Sequence, residues 1–150
     1  MNEMLSAEQV LKEKGVLVET TVGTSMLPLF KNRRDRVIIK PVTARLEKYD
    51  VPLYRRGNKL VLHRIIEVRE NDYIICGDNC EDFETVKDEQ VIGVLSAFYR
   101  RKKYYTVEDK AYILYSKAWV SIYPLRMVYK KLRHFAAGIY HKIRRENGRV

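Results

Sequence analysis

Four residues of this 150-residue sequence stand where acyl-transfer chemistry would need them: a serine, a histidine and two aspartates. The serine lies in Gly23-Thr24-Ser25-Met26-Leu27-Pro28. A hydroxyl nucleophile needs a tight turn that exposes its Oγ and directs its own backbone N–H at the oxyanion. Gly23 permits such a turn, and Pro28 stiffens its exit. By itself, a serine in a Gly/Pro loop is usually only a turn residue. The histidine lies in Val61-Leu62-His63-Arg64-Ile65-Ile66. Imidazole titrates near ~6.5, so it can accept a serine proton at neutral pH. A lone histidine in an apolar run is more often a core or surface residue with a satisfied ring. The aspartates lie in Cys76-Gly77-Asp78-Asn79-Cys80-Glu81-Asp82. A histidine base needs an acceptor on its second ring nitrogen to hold its tautomer. Asp78 and Asp82 both qualify, and the plainer interpretation is an acidic turn between strands.

Other chemistries fit these residues less well. Cys76, Cys80 and His63 would make three zinc ligands with no fourth, so neither a metal nor another cofactor is expected. Two cysteines are too few for a disulfide framework, and a Cys76–Cys80 bridge is not expected in a reducing compartment. Lys59 is a conceivable lysine base. It stands four residues before His63, about 13 Å along a strand, so both cannot reach Ser25.

The elements that must position these residues read mostly as strands. Ser6 to Gly15 is expected as a short helix, with Ser6 and Gln9 spaced as a capping box. Val16–Val22, Arg36–Val42, Val51–Arg56, Leu60–Val68, Asp72–Cys76 and Val91–Arg100 are Val-, Ile-, Thr- and Tyr-rich runs separated by Gly, Asn, Asp and Pro. Short strands without helices between them predict an antiparallel barrel or sandwich. From Val107 the period becomes helical, and Pro124 ends or kinks that helix. Beyond it Val128, Leu132, Phe135, Ile139 and Ile143 make one helix face. The expected organisation is a β domain over 1–100 and a helical tail over 101–150.

Gly-x-Ser-Met-x-Pro, then a strand with a base followed by Arg64, then Gly77-Asp78-Asn79, resembles the type I signal peptidase superfamily, over about Val16–Leu95. That superfamily includes LexA-like self-cleaving repressors. Its bacterial branch uses a lysine base. With His63 at that position, the chain is similar to the microsomal and archaeal-type Ser/His branch. The resemblance implies a mainly β, signal-peptidase/LexA-like core and a serine endopeptidase. Ser25 would be the nucleophile and His63 the general base. Asp82 or Asp78 would be the third member, and the Ser25 backbone N–H would serve the oxyanion hole. Gly23 replaces a second hydroxyl donor found in some relatives. Gly23, Met26, Pro28, Arg64, Gly77 and Asn79 would organise the site, Arg64 as a partner of Asp78. The alternative is a domain of the same fold that binds or regulates and cuts only itself, or nothing.

Charge is unevenly distributed. Residues 1–98 hold 15 Lys and Arg against 16 Asp and Glu, whereas residues 99–150 hold 14 against 3. A basic tail on a near-neutral body predicts an anionic partner. Trp119, Phe135 and Ile139 with Lys130 and Lys131 are the expected contacts to an anionic membrane surface. No nucleic-acid motif accompanies the charge, so nucleic acid is not the expected partner. Met1–Gly15 does not read as a signal peptide, and no stretch reaches the ~20 apolar residues of a bilayer span. The expectation is cytoplasmic residence, peripheral at the inner membrane face. The expected substrate is a leader peptide or membrane-proximal polypeptide.

Overall fold

The computed structural model describes residues 3–147. In chain order it contains α1 (Glu3–Lys14), β1 (Leu17–Thr20), β2 (Arg36–Lys40), β3 (Pro52–Arg56), β4 (Lys59–Leu62), β5 (Arg64–Val68), β6 (Asp72–Cys76) and β7 (Glu84–Lys87). A 3₁₀ turn (Asp88–Gln90), β8 (Val91–Arg100), β9 (Lys103–Thr106), α2 (Lys110–Ser121) and α3 (Tyr123–Asn147) follow. Helix and strand take similar shares of the chain, so the mainly β character belongs to its first part.

α1 begins at Glu3, so Ser6 lies inside the helix and not at its N-cap. The Ser6 side chain is outside the described residues. Ala7 and Leu11 turn into the core, and Gly15 ends the helix at φ 68° with its N–H on the Leu11 carbonyl.

Two antiparallel sheets form the body. The first has the order β1-β2-β8-β3-β4, with β9 also on β8. The ten-residue β8 is its spine: β2 pairs with residues 94–99, while β3 and β9 pair with opposite ends of the strand, 91–94 and 97–100. The second sheet has the order β5-β6-β7. Two apolar clusters fill the body, and the second draws Tyr54 of β3 from the first sheet. Leu11, Met26, Phe30, Val37, Ile39, Val51, Leu95 and Phe98 fill one. Leu46, Tyr54, Ile65, Tyr73, Ile75 and Val86 fill the other. Alternation along the strands explains this, as in β2, where Val37 and Ile39 are buried between exposed Arg36 and Lys40.

The run expected as one strand over Leu60–Val68 is two. The chain leaves the first sheet after Leu62 and enters the second at Arg64, with His63 as the joint. β-branched residues on both sides hid that break, because apolar content carries no mark of which sheet a residue joins.

The body also extends past Arg100. It forms one compact unit to Lys117, and residues 118–150 form a second. The boundary expected at 100 moves for two reasons. Lys103–Thr106 folds back as β9 on β8, and Tyr112 and Ser116 of α2 are buried. In the second unit, α2 ends at Ser121 and α3 starts at Tyr123. Pro124 thus stands in the first turn of α3, where its missing N–H costs little.

Candidate active site

Ser25 sits in a turn between β1 and β2. Gly23 has φ 94°, a conformation that disfavours any side chain, and its N–H donates to Asn32 Oδ1 at 2.9 Å. Met26, Leu29 and Phe30 anchor the turn in the core, and the Leu27–Pro28 peptide is cis. Ser25 itself is half-buried.

The Gly77-Asp78-Asn79 loop is fastened to this turn through main-chain groups. The Asn79 N–H donates to the Ser25 carbonyl at 2.7 Å, and Asn79 Nδ2 donates to the Thr24 carbonyl at 3.2 Å. The Asp78 N–H points at Met26 Sδ at 3.5 Å. Gly77 lies where three groups converge. A Cβ there would stand 2.6 Å from Cys80 Sγ, 2.7 Å from the Ser25 carbonyl oxygen and 3.0 Å from His63 Nε2. Only glycine fits, and its lack of a side chain lets the Ser25 turn and the His63 ring face each other.

His63 is 4% exposed. Its Nδ1 lies 3.2 Å from Tyr54 Oη and 3.4 Å from Glu84 Oε1. Arg56 holds both partners, donating to each carboxylate oxygen of Glu84 and to Tyr54 Oη at 3.3 Å. A carboxylate beside Nδ1 favours the tautomer with the proton there, which leaves the lone pair on Nε2, the nitrogen beside Gly77. Burial lowers the imidazole pKa below its ordinary value, and Glu84 opposes that in part. Burial likewise raises the Tyr54 phenol, so it stays protonated.

The groups at Nδ1 are therefore Tyr54, at hydrogen-bond distance, and the carboxylate of Glu84, the first residue of β7, and neither expected aspartate. Asp82 is exposed and makes no ion pair with His63. Asp78 is committed elsewhere: Arg64 Nε and Nη2 donate to its two oxygens at 2.8 and 2.9 Å. Arg64 is 1% exposed and Asp78 4%. The pairing of Arg64 with Asp78 expected from the sequence is thus present; burial pulls the guanidinium pKa down, and the Asp78 carboxylate more than offsets it, so the group stays charged.

Helix α2 completes that pair. Ser116 Oγ accepts from Arg64 Nη1 at 2.8 Å, Tyr112 Oη accepts at 3.3 Å, and Tyr115 Oη donates to Asp78 Oδ2 at 2.8 Å. Tyr49, at φ 85°, offers its carbonyl to Arg64 Nη1 at 3.1 Å. Sequence reading missed these residues. The available signal was the i, i+3, i+4 spacing of Tyr112, Tyr115 and Ser116, which puts three hydroxyls on one helix face. Tyr112 and Tyr115 thereby belong to the body and not to a tail.

Ser25 Oγ makes no hydrogen bond to His63 in this structure. The Ser25 N–H has no acceptor among the described residues. No group of His, Cys, Asp and Glu among the described residues could hold a metal ion. No protein-family model matches the chain, and no curated protein is significantly similar to it.

Proposed function

We propose that this chain is a serine endopeptidase of signal-peptidase type, with Ser25 as nucleophile and His63 as general base. One observation carries the proposal. A buried histidine has Nε2 beside the side-chain-free Gly77, which also lies against the Ser25 carbonyl, while a phenol and a carboxylate stand at its Nδ1. A histidine that served only the core would not need this arrangement.

In the proposed reaction Ser25 Oγ attacks the scissile carbonyl and its proton passes to His63 Nε2. The imidazolium formed is stabilised by Glu84 at Nδ1. The Ser25 N–H donates to the oxyanion. His63 then gives its proton to the leaving amine, and water, deprotonated by His63, hydrolyses the acyl-enzyme. An apo serine–histidine contact is often loose and tightens only with substrate bound. The resemblance favours a leader peptide or a membrane-proximal polypeptide as substrate.

The unmade Ser25–His63 hydrogen bond favours one alternative: a domain that binds or regulates through the same surface without cutting in trans. Incubation with a library of unfolded peptides, followed by sequencing of new N-termini, separates the two. The peptidase produces termini that Ser25→Ala and His63→Ala both abolish. Identical termini from the intact chain and Ser25→Ala would overturn it.

A further inference from the structure

The unit formed by residues 118–150 carries a helix face that its own residues leave uncovered. In α3, Leu125, Val128, Leu132, Phe135, Ile139 and Ile143 follow one another at steps of three or four residues. At roughly 100° per residue they fall within about 80° of arc. All six are exposed, from 45% at Ile139 to 72% at Leu125. A continuous row of large apolar side chains is more than the scattered hydrophobics of an ordinary surface.

The borders of this row differ in chemistry. Lys131 and Lys142 flank it on one side, and exposed Tyr129 and Tyr140 flank it on the other. Arg126, Lys130, Arg133, Arg144 and Arg145 stand further round, and Glu146 is the single acidic residue of the helix. The complement of such a face is apolar at its centre and negative at its edge. Nucleic acid supplies the charge but has no use for the apolar row. A second α3 would cover the row but offers no acidic flank to meet Lys131 and Lys142. No helix among the described residues is long and apolar enough to cross a membrane.

We propose that α3 lies flat in the interface of an anionic lipid surface. Leu132, Phe135 and Ile139 enter the acyl boundary, Lys131 and Lys142 meet the headgroup phosphates, and Tyr129 and Tyr140 sit at the interface. Two of the contacts expected from the sequence change. Lys130 stands on the opposite side of the helix from the row. Trp119 is half-buried, with the Arg126 guanidinium over its ring at 4.0 Å.

The test uses the full chain and does not depend on peptidase activity. It compares cosedimentation with phosphatidylcholine–phosphatidylserine vesicles and with phosphatidylcholine alone. Binding to the anionic vesicles is expected to exceed binding to the neutral ones by at least about tenfold and to weaken in high salt. The double variant Phe135→Asp/Ile139→Asp, and separately Lys131→Glu/Lys142→Glu, should each lose most of it. All four side chains are exposed, so the body should unfold at the same denaturant concentration as the parent. Equal binding to both vesicle types, or full binding by either double variant, would overturn the proposal. So would tighter binding to a DNA duplex than to anionic vesicles, or a dimer that Phe135→Asp/Ile139→Asp dissociates while vesicles go unbound.

Discussion

His63 is buried, and that burial sets the pH range over which it would serve as the base of the proposed reaction. Its pKa lies below the ordinary imidazole value, chiefly through burial, with Glu84 pulling the other way. In the proposed reaction the neutral form is the base, so the acid limb of kcat/KM is expected below pH ~6.5. Glu84→Gln removes the opposing charge. It should move the acid limb to still lower pH and reduce the plateau by about a hundredfold or more, because tautomer control weakens. Asp82→Asn should leave the rate within about twofold, as expected of an exposed side chain away from the ring. Pre-steady-state and steady-state rates across pH would show this, and a large loss in Asp82→Asn with none in Glu84→Gln would restore the aspartate. The same titration enters stability. With the folded pKa depressed, the unfolded chain takes up the proton first as pH falls. The contribution is full above ~6.5 and is lost as pH falls through that value toward the folded one. Denaturant midpoints between pH 7.5 and 5.5 should therefore fall more steeply for the parent than for His63→Gln.

Elements decide which residues meet, and here the sequence was legible in places and silent in others. Strands β6 and β8 were read to their ends, because turn residues bracket runs of uniform character. Strand β7 was missed, since Glu84-Thr85-Val86-Lys87 buries only Val86 and offers no periodic signal. That omission is why Glu84 was missed as well: a strand start brings it to His63, whereas the family resemblance pointed to an aspartate, Asp82 or Asp78. The Arg64–Asp78 pair could be read, and the serine and histidine motifs stand out as candidates, because their residue types carry the chemistry themselves. The contribution of α2 could not, since its hydroxyls acquire meaning only against a buried guanidinium. Asp78→Asn should leave Arg64 charged and poorly paired, costing about 3–5 kcal/mol. Tyr115→Phe removes one bond to a carboxylate and should cost about 1.5–3 kcal/mol. Urea unfolding of both variants checks the order, and an Asp78→Asn chain as stable as the parent would mean that the pair is not structural.

At the scale of the whole molecule, charge and packing divide the chain at different places. The basic excess starts near residue 99, yet the compact body runs to Lys117. Composition marks what a segment faces, whereas a boundary follows the bonds it makes. Between the two divisions lie β9, whose Tyr105 stacks on Phe98 with centroids 5.3 Å apart, and the α2 hydroxyls on Arg64 and Asp78. A chain cut after Arg100 loses all of them. It strips the cover from Phe98, leaves one edge of β8 unpaired over residues 97–100, and takes two acceptors from a buried guanidinium. Each loss is of the order of 1–3 kcal/mol, and together they approach the 5–15 kcal/mol that holds an ordinary domain folded. A chain cut after Lys117 keeps them. The shorter chain should therefore show no cooperative thermal transition, or one far below the parent's. The longer should melt cooperatively and retain any peptidase activity of the full chain. Calorimetry on the two truncations decides this: a cooperative, parent-like transition in the chain ending at Arg100 would show that the body closes without α2.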